Sequence, residues 1–538
     1  MAEKLGLDRN SESRLISGIA HVLKQNAAQN GHVCLPRDIL VKASAKLLEA
    51  SEENINIAID DMIAMRRLKY SLFDETYCVY DSYSYDCETY IAEKLDLIDK
   101  VCPKTGTSDA NFFIEKEERL NGITYALLQK KAIISALESG VMLLTGGPGT
   151  GKTTIVKALI DIFESMDMKV ALAAPTGRAA KKLSESTSHE AKTIHRLLEF
   201  EYSGEDGDRP GFRRNENDLL EENVIIIDES SMIDNILMCS LLKAVKPGAR
   251  VILIGDSDQL PSIGAGNVLR DLIDCGRFAT VKLNEIFRQA QASLIVTNAH
   301  KINNGEMPVM SVKDNDFFFL PRSTDAEIAQ TVTDLCLTRL PRKYGEEAVS
   351  GTQVITQSRK GVAGTENLNV SLQEALNPPS KDKREYKHRD RVFREGDRVM
   401  QIKNNYELEW FRDDDSEGTG VFNGDIGVIE NINISSQTVQ IKFDDRYVNY
   451  EFTLLDELEH AYAITVHKSQ GCEYPFVIIP LYSAPPMLLT RNLFYTAVTR
   501  AKRMVILVGR AEIAEKMVRN SHIGQRYTGL KQRLLREE

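Results

Sequence analysis

Hydrophobic side chains at the start of the chain recur every three or four positions in three successive segments, and two short segments of extended character follow. The helices are predicted at Ser13–Gln25, Pro36–Ala50 and Glu52–Arg67, and the strands at Leu68–Phe73 and Tyr77–Tyr80. Apolar residues at helical spacing predict amphipathic helices, and two β-rich runs joined by a polar turn predict a hairpin. We therefore predict a helical, winged-helix-like domain over residues 1–108. Such domains often contact DNA, but none of these helices is clearly basic, so a structural or protein-binding role is an equally good interpretation.

The central part of the chain alternates between apolar strands and amphipathic helices. Aliphatic runs bounded by polar, Gly or Pro positions occur at Val141–Thr145, Lys169–Ala174, Asn223–Asp228 and Arg250–Gly255. This alternation predicts an α/β fold in which helices cover both faces of a parallel sheet. A second set of runs predicts a second domain of the same class, at Thr352–Thr356, Ala461–Val466, Phe476–Pro480 and Met504–Gly509. We predict that the two domains span residues 109–310 and 311–538.

Two inserts interrupt these α/β domains. The polar segment Glu199–Glu222 contains SGEDGDRPG and is predicted to form a hairpin or a disordered loop. The second insert, Gly420–Phe452 within about 415–455, contains short alternating strands with Asn-Gly and Asp-Asp turns. This pattern predicts a small β-barrel.

A phosphate-binding loop follows the first predicted strand of the α/β region. The sequence GGPGTGKT matches Gly-x-x-x-x-Gly-Lys-Thr between a strand and a helix. Its glycines allow backbone N–H groups to turn toward an anion, and the helix N-terminus adds partial positive charge. We expect Lys152 to reach the β- and γ-phosphates of a nucleotide and the Thr153 hydroxyl to ligate Mg²⁺. The predicted nucleotide site comprises Gly146, Gly147, Pro148, Gly149, Thr150, Gly151, Lys152, Thr153 and Thr154.

Acidic and amide side chains follow two later strands of the same predicted sheet. Asp228 and Glu229 directly follow an apolar Ile-Ile-Ile run, and Gln259 lies in GDSDQLP after the next strand. Strand ends in an open α/β sheet face the ligand crevice. We therefore expect Asp228 to hold Mg²⁺, Glu229 to polarise the attacking water and Gln259 to hydrogen-bond the γ-phosphate.

The composition narrows the class of protein. A chain of 538 residues that is 42% hydrophobic and 27% charged is typical of a globular protein with several domains. No apolar run approaches the roughly 18 residues of a membrane span, and the first residues lack the apolar core of a signal peptide. The eight cysteines form no C-x-x-C pair, which favours a reducing cytoplasm over a zinc site or disulfide framework. We expect a cytoplasmic protein that binds no membrane.

The net charge is less informative than the local distribution of charged residues. The net charge is −11, which by itself does not favour a nucleic-acid partner. Two basic runs stand out, nine Lys and Arg against five acids at Lys381–Lys403 and ten against four at Arg500–Glu538. Each run is consistent with either a solvated surface or a contact to phosphates. The first run leads directly into Asn404 and Asn405, which are candidate nucleic-acid contacts.

Seven segments occur in the order of the superfamily 1 helicase motifs, and the chain resembles the RecD-like branch, the exonuclease V α-subunit type, within superfamily 1B. They are APTGRAAKKL, TIHRLL, IIIDESSM, GDSDQLPS, LNEIFRQ, AITVHKSQGCE and LFYTAVTRAK. QIKNNY followed by GVFNGDIGVI is similar to the longer, stand-alone bacterial form, and the resemblance covers about residues 10–535. It implies two RecA-like P-loop NTPase domains with ATP between them, an SH3-like barrel insert, and a hairpin pin at Glu199–Glu222 that splits the duplex. Long family members carry more sequence before this region, so the chain is either a naturally short form or a shortened one.

The resemblance also implies roles for single residues. Gln129 would contact the adenine, Glu473 would reach the ribose or the domain interface, and Arg288 and Arg500 would complete the ATP site. An arginine directed at the transferring phosphoryl group raises the rate by about 10³–10⁵, although either arginine taken singly would equally suit a surface salt bridge.

The track for single-stranded DNA is likewise implied by the resemblance. Its expected residues are Pro175, Thr176, Gly177, Arg178, His195, Asn404, Asn405, Thr465, His467 and Lys468. Trp410 and Phe411 would either stack on bases or pack against the barrel.

The function implied by the resemblance is that of an ATP- and Mg²⁺-dependent DNA helicase, which moves 5′→3′ on single-stranded DNA and unwinds duplex DNA in repair or recombination. Its expected partners are single-stranded DNA and junctions between single- and double-stranded DNA, with other repair proteins as a further candidate class, and we expect a monomer. The alternative is a nucleic-acid-dependent ATPase subunit or switch of a nuclease–helicase complex that unwinds little alone. A missing relaxase domain disfavours the helicase half of a conjugative relaxase.

Overall fold

A computed structural model describes residues 11–73, 75–201, 211–285, 291–312, 315–521 and 526–536 of the chain. The N-terminal region forms the predicted three helices and hairpin, with a short additional strand. The helices are Glu12–Asn30, Arg37–Leu48 and Glu52–Ala64, and the strands are β1 (Leu35–Pro36), β2 (Leu68–Phe73) and β3 (Thr76–Asp81). The strands pair antiparallel in the order β1-β3-β2. Helix Ser82–Val101 then leads out of this domain, followed by helices Thr107–Asn121 and Leu127–Glu138.

The first α/β domain is built on a six-stranded parallel sheet. Its strands are β4 (Val141–Gly146), β5 (Val170–Ala174), β6 (Ala191–Thr193), β9 (Val224–Ile227), β10 (Arg250–Gly255) and β11 (Ala279–Leu283), in the order β11-β4-β10-β9-β5-β6. Its helices are Lys152–Ser165, Gly177–Thr187, Ile194–Leu197, Asn235–Ala244 and Val268–Cys275. The predicted strands are confirmed.

Both faces of this sheet are covered, which explains why its strands are apolar at every position. Val141 and Leu143 pack in a core with Ile91 and Leu95 of helix Ser82–Val101. Met142 and Leu144 face the opposite side and pack with helices Leu127–Glu138 and Lys152–Ser165. A helix that leaves the N-terminal domain therefore supplies part of the core of the first α/β domain.

The polar insert of this domain contains a short hairpin stem. Strands β7 (Phe200–Glu201) and β8 (Gly211–Phe212) pair antiparallel, so the hairpin alternative for Glu199–Glu222 is the one the structure adopts at its base. The predicted tip, residues 202–210, lies outside the described residues.

The second α/β domain contains a five-stranded parallel sheet. Its strands are β12 (Phe317–Pro321), β13 (Thr352–Thr356), β23 (Ala463–Thr465), β24 (Tyr474–Leu481) and β25 (Ala501–Gly509), in the order β12-β25-β24-β13-β23. Its helices are Asp325–Asp334, Leu340–Tyr344, Glu346–Gly351, Thr365–Leu376, Arg491–Val498 and Ala511–Arg519, and Leu530–Leu535 follows near the C-terminus. Helix Leu294–Asn303 packs in the core of this second sheet, although the predicted boundary at 310/311 assigns it to the first domain. That boundary stays a prediction.

The β-rich module is larger than the insert predicted for it. A hairpin of β14 (Glu385–His388) and β15 (Arg391–Arg394) precedes a seven-stranded antiparallel sheet. The sheet consists of β16 (Arg398–Gln401), β17 (Asn405–Phe411), β18 (Glu417–Val421), β19 (Ile426–Asn433), β20 (Thr438–Phe443), β21 (Arg446–Glu451) and β22 (Leu458–His460). Their order in the sheet is β18-β17-β21-β20-β19-β16-β22. The early strands carry arginines at their ends, which hides the apolar alternation that identified the later ones.

No helix within the described ranges is both long and apolar enough to cross a membrane.

Candidate nucleotide cleft and nucleic-acid interface

The carboxyl ends of three neighbouring strands place the predicted catalytic groups side by side. In the first sheet β10 lies between β4 and β9, with Gly255 beside Thr145 and Leu253 beside Ile227. The phosphate loop leaves β4, Asp228 leaves β9 and Asp256 leaves β10. Parallel pairing in this register therefore brings together side chains that are about a hundred residues apart in the chain.

The phosphate loop has the backbone that its glycines permit. Gly149 and Gly151 adopt φ of 72° and 82°, values that side chains with a Cβ rarely accept. Lys152 Nζ donates to the carbonyl oxygens of Gly146 and Gly147 at 2.5 and 3.0 Å, and Thr150 Oγ1 donates to Gly147 O at 2.8 Å. The ammonium is thus held at the mouth of the loop, where a phosphate would be expected.

Asp228 and Glu229 form a close acidic pair at the end of β9. Burial, and then the charge of Glu229, raise the pKa of Asp228 to about 6, while Lys152 and Lys182 oppose this rise. Glu229 adopts a left-handed φ of 52° and its backbone N–H donates to Asp228 Oδ1 at 2.8 Å. Two carboxyl groups in this environment favour the arrival of a cation.

Arg500 approaches the first domain from the second. Its side chain is 2% exposed and Nη2 donates to Gln259 Oε1 at 2.7 Å. Nε donates to Thr496 O at 3.1 Å and Nη1 to Cys472 O at 3.2 Å, which fixes the direction of the guanidinium. The structure thus joins Gln259, which was expected to contact the γ-phosphate, to Arg500 of the other domain, which was expected to complete the ATP site.

A second contact between the domains lies beside the first. The Tyr495 hydroxyl donates to Asp256 Oδ2 at 2.7 Å, and Gln259 Nε2 donates to the same oxygen at 3.3 Å. Burial raises the pKa of Asp256, which Lys152 and Tyr495 partly offset. Leu260 N donates to Thr496 Oγ1 at 3.0 Å. Asp256 and Tyr495 lie within motifs that were recognised, but neither was singled out, because a Tyr and an Asp carry no specific signal until their partners are known.

Glu473 lies on the opposite wall of the cleft and pairs with Lys182 of the first domain at 2.6 Å. Burial alone would raise the pKa of Glu473, but Lys182, Lys502 and Arg500 lower it overall. Lys182 is a functional candidate that sequence reasoning missed, although it lies within the quoted segment APTGRAAKKL. In this structure Glu473 bridges the domains, which was one of its two expected roles.

The predicted nucleotide residues fall into three groups. One cleft is lined by Gly147, Pro148, Gly149, Thr150, Gly151, Lys152, Thr153, Asp228, Glu229, Gln259, Glu473 and Arg500, together with Lys182 and Asp256. Gly146, Gln129 and Thr154 are not part of that lining. Gln129 is buried, and its Oε1 accepts a hydrogen bond from Ala126 N at 3.0 Å, so its contact with adenine stays a prediction. Arg288 lies outside the described residues.

The oxygen donors of the cleft fit Mg²⁺. Thr153 and Asp228 both line it, so a hydroxyl oxygen and a carboxylate are available to a cation. No group of three or more His, Cys, Asp or Glu that could hold a metal occurs in the described part of the chain. Mg²⁺ in nucleotide sites is commonly held by one or two protein ligands and by substrate phosphates, so Thr153 and Asp228 stay the predicted ligands.

Four predicted strand-track residues of the first domain lie where it meets the second domain and the β-rich module. Thr176 Oγ1 accepts a hydrogen bond from Ala179 N at 3.3 Å and caps helix Gly177–Thr187. A Cβ on Gly177 would lie 3.7 Å from Phe422 of the module. Burial alone would lower the pKa of Arg178, but Cys472 and Tyr474 raise it overall, which puts Arg178 in the interface. Pro175 precedes these residues and is partly buried.

Five further track residues belong to the second domain and its β-rich module. Thr465 ends β23 and accepts a hydrogen bond from Lys468 N at 3.4 Å, while His467 is exposed. Asn404 Nδ2 donates to Tyr406 Oη at 3.3 Å, and Asn405 Nδ2 donates to Glu457 Oε2 at 3.1 Å. Their contact with DNA stays a prediction.

Lys468 is neutralised by a carboxylate that the sequence analysis did not single out. Glu459 Oε2 accepts a bond from Lys468 Nζ at 2.5 Å, and Glu459 Oε1 accepts from Arg359 at 3.3 Å and from Arg391 at 3.5 Å. Burial alone would raise the pKa of Glu459, but these cations lower it overall. Three positive groups therefore converge on one negative group at the carboxyl edge of the second sheet, beside Thr465.

An aromatic cluster joins the hairpin stem to the β-rich module. Ring centroids of Phe200 and Phe212 are 5.2 Å apart, and Phe200 lies 4.8 Å from Tyr406 of the module. His195 lies 5.6 Å from Phe212 and 6.3 Å from Tyr406, and burial lowers its pKa. Packing in this apolar cluster accounts for the position of His195 as well as the predicted contact with DNA does.

Trp410 and Phe411 both contact the module. Trp410 packs against its core, and its Nε1 donates to Thr419 O at 3.2 Å. Phe411 is 41% exposed and stacks on Tyr447 at 5.5 Å. Of the two alternatives, packing against the barrel is the one visible in this structure.

Much of the charge in the two basic runs is used within the protein. In the first run Arg394 pairs with Glu385 at 2.5 Å and Arg391 with Glu459. Arg533 in the second pairs with buried Glu88 at 3.4 Å. These three arginines are therefore engaged by carboxylates of the protein, one within the first run and two from distant parts of the chain.

Family models match three parts of the chain. An AAA domain matches residues 124–318, an ATP-dependent RecD-like DNA helicase SH3 domain matches residues 368–443, and a UvrD-like helicase C-terminal domain matches residues 460–508. The SH3 match begins well before the predicted insert, in agreement with the early strands of the module.

Two relatives align over most of the chain. An ATP-dependent RecD2 DNA helicase of Deinococcus radiodurans is 32% identical over 510 residues, which are 93% of this chain and 66% of that protein. A RecBCD enzyme subunit RecD of Mycobacterium tuberculosis is 32% identical over 458 residues, which are 74% of this chain and 72% of that protein. The chain thus spans just under two thirds of the length of the first. The crystal structure of Bacteroides Pif1 bound to ssDNA is 20% identical, with a TM-score of 0.42 over 72% of this chain and 92% of that chain.

Proposed function

Because the chain belongs to the RecD-like family of DNA helicases, we propose that it couples ATP hydrolysis to 5′→3′ movement along single-stranded DNA and to the unwinding of duplex DNA. Its fold is that of two RecA-like domains with an SH3 domain, as in that family. Single-stranded DNA and its junctions with duplex are the proposed partners, in DNA repair or recombination. We propose the cytoplasm as its location and a monomer as its working form.

The hydrogen bond from Arg500 to Gln259 is the observation that carries the proposal. It crosses from one α/β domain to the other at the mouth of the phosphate loop, with a distance of 2.7 Å. A nucleotide bound to the loop would meet charged groups from both domains, so the free energy of binding depends on how the domains are arranged. Hydrolysis then changes that arrangement, which is the requirement for a motor.

The residues of the cleft have separate tasks in this mechanism. Lys152 and the loop backbone bind the phosphates, Glu229 holds the attacking water, and Gln259 and Arg500 stabilise the charge that develops on the terminal phosphate. Mg²⁺, when bound by Thr153 and Asp228, would neutralise phosphate charge. Arg288 belongs to the same proposed set by family resemblance.

The track for single-stranded DNA is proposed along the carboxyl edges of both sheets. Thr176 and Arg178 lie at the edge of the first sheet, and Thr465 and Lys468 lie at the edge of the second. If the two domains bind the DNA strand in turn, as ATP is bound and hydrolysed in the cleft, the strand moves in small steps. The hairpin at Phe200–Phe212 is the proposed wedge, because it is fixed to the module by aromatic contacts.

An ATPase switch within a nuclease–helicase complex is not favoured. Alignment with the helicase of Deinococcus covers 93% of the chain, including the β-rich module, whereas alignment with the mycobacterial subunit covers 74%.

Strand displacement by the purified chain tests the proposal. Duplexes with a 5′ tail or a 3′ tail are compared, and we expect unwinding of the 5′-tailed duplex alone, with Mg²⁺ and ATP. ATP hydrolysis without displacement of either duplex would instead support the switch, and displacement of the 3′-tailed duplex would reverse the polarity.

Lys152→Ala supplies the mechanistic control. Removing the ammonium that faces the phosphates is expected to lower DNA-stimulated hydrolysis by at least about 10²-fold while single-strand binding is retained. Lys157→Ala is the matched variant, because Lys157 is exposed on the same helix. Unwinding that survives Lys152→Ala would contradict the mechanism.

A further inference from the structure

His300 reaches the phosphate loop from the second domain. It lies on helix Leu294–Asn303, whose buried face packs in the core of the second sheet through Ile295, Ala299 and Ile302. A Cβ built on Gly147 of the loop would lie 3.2 Å from His300 Cε1 and 3.3 Å from its Nε2. The imidazole therefore lies against the loop, on the side where the two domains meet.

The ring nitrogen that faces the loop has no protein partner within the described residues. His300 Nε2 is buried and makes no hydrogen bond to any of them. An unpaired buried donor is destabilising, and such groups in folded proteins call for an explanation, of which a missing ligand is one. The nearest ligand chemistry is the phosphate chain of the nucleotide that this loop is built to bind.

Tyr495 provides the contrast. A Cβ on Gly147 would also lie 3.0 Å from the Tyr495 hydroxyl oxygen, so both side chains of the second domain press on the same loop residue. The Tyr495 hydroxyl is already used, because it donates to Asp256 at 2.7 Å. Of this pair only His300 retains a donor for a nucleotide, and both require that residue 147 has no side chain.

We propose that His300 is a nucleotide-binding residue whose Nε2–H donates a hydrogen bond to the terminal phosphate of bound ATP. The inference rests on the proposed ATP-driven function and adds to it a group that distinguishes ATP from ADP across the domain interface. The bond forms only when the helix Leu294–Asn303 lies against the loop. Loss of the terminal phosphate removes the bond and weakens the hold of the second domain on the first.

The test compares nucleotide affinities of the full chain and its His300→Phe variant, which keeps an aromatic ring but removes the donor. The probes are Mg²⁺ with ADP and Mg²⁺ with a non-hydrolysable β,γ-imido analogue of ATP, measured by calorimetry. We expect the analogue to bind about tenfold more weakly and ADP to bind within about twofold of wild type, as for loss of one hydrogen bond to a charged group. His300→Gln, which restores an N–H donor at similar reach, should recover part of the difference.

Further variants separate binding from folding. His300→Asn has a side chain too short to reach the Nε2 position and should reproduce the loss if the phenylalanine variant is unstable. His21→Phe is the matched control, because His21 is exposed on the first helix of the chain. An unchanged ratio of the two affinities, or an equal loss for both nucleotides, overturns the inference. Absence of DNA-stimulated hydrolysis in the wild type is a different result and would contradict the proposed function instead.

Discussion

Arg500 is almost completely buried, yet its guanidinium extends from one domain to the other. Its guanidinium donates to Gln259 Oε1, Thr496 O, Cys472 O and Thr499 Oγ1, at 2.7, 3.1, 3.2 and 3.4 Å. The planar fork of an arginine satisfies several acceptors in fixed directions, which a lysine ammonium on a flexible stem does not reproduce. At the scale of one residue, the same side chain is therefore both a part of the interface and a part of the proposed catalytic site.

Arg500→Lys is expected to lower DNA-stimulated ATP hydrolysis by about 10³-fold while the affinity for nucleotide changes little, because the charge remains but its direction is lost. Steady-state hydrolysis and nucleotide titration measure the two quantities. Arg503→Lys is the matched control, since Arg503 is exposed and pairs with Glu347 at the surface. A variant that hydrolyses ATP at the wild-type rate would remove Arg500 from the catalytic set.

Glu459 shows how one residue sets the charge of a surface. The cations Lys468, Arg359 and Arg391 come from three separate parts of the chain, and all converge on its carboxylate. A phosphate of the DNA strand would have to share Lys468 with Glu459. Such competition would lower the affinity for the DNA strand, as is expected of a motor that has to release DNA in each cycle.

Glu459→Gln is expected to raise the affinity for single-stranded DNA about tenfold at low salt and to steepen its salt dependence, because more cationic charge then faces the phosphates. Fluorescence anisotropy with an oligothymidine at several salt concentrations measures both. Glu366→Gln is the control, since Glu366 is an exposed partner of Arg359 at 3.6 Å. Weaker binding by Glu459→Gln would mean that the carboxylate positions the cations for DNA rather than competing with it.

At the scale of elements, contacts between aromatic side chains hold the hairpin against the β-rich module. The stem residues Phe200 and Phe212 come from strands of only two residues each, which are too short to be stable by themselves. Contact with Tyr406 at 4.8 Å adds the apolar surface that the stem lacks. A movement of the module is therefore transmitted to the hairpin.

Phe212→Ala is expected to reduce duplex unwinding several-fold while hydrolysis stimulated by single-stranded DNA is unchanged, because each lost aromatic pair weakens the stem by about 0.5–1.5 kcal/mol. The ratio of base pairs separated to ATP consumed is the measurement. Phe411→Ala is the control, because Phe411 is an exposed ring of the same module. Equal losses of unwinding and hydrolysis would show that the cluster serves the motor as a whole rather than the wedge.

At the scale of the whole molecule, the C-terminal segment 526–536 links all three regions. Tyr527 O accepts hydrogen bonds from Val33 N and Cys34 N of the N-terminal domain. Arg526 Nη2 donates to Ser262 O of the first motor domain at 2.6 Å. Arg533 pairs with Glu88, which also accepts from Gly529 N at 3.1 Å. The segment thus returns from the second domain and fastens the N-terminal domain to the first.

Glu88→Ala is expected to lower the free energy of unfolding by about 3–5 kcal/mol, because removal of one partner leaves Arg533 buried without compensation. Chemical denaturation followed by fluorescence measures the change. Glu93→Ala is the matched control on the same helix, where Glu93 is exposed. A change of less than about 1 kcal/mol, the usual range for a surface pair, would show that the segment contributes little to stability.

The strands and the phosphate loop could be predicted because their signals are local. Strand β10 has the predicted bounds Arg250–Gly255, since an apolar run with polar ends is sufficient to define a buried strand. The β-rich module was predicted too short, because arginines at the ends of β15 and β16 obscure the alternation of apolar residues. The sequence also left open whether the basic run faces solvent or phosphates, because it does not reveal which charges are paired.

The sequence by itself determined the nucleotide site and the family. The residues that bind phosphate are neighbours in the chain, and they follow strands that are recognisable from their own composition. Only the tertiary structure decided which side chains meet across the cleft. Tyr495 on Asp256, Lys182 on Glu473 and His300 on Gly147 join positions that are far apart in sequence. No local pattern marks such pairs, because a histidine or a tyrosine acquires its role from the distance and burial of its partner, which the packing of the two domains creates.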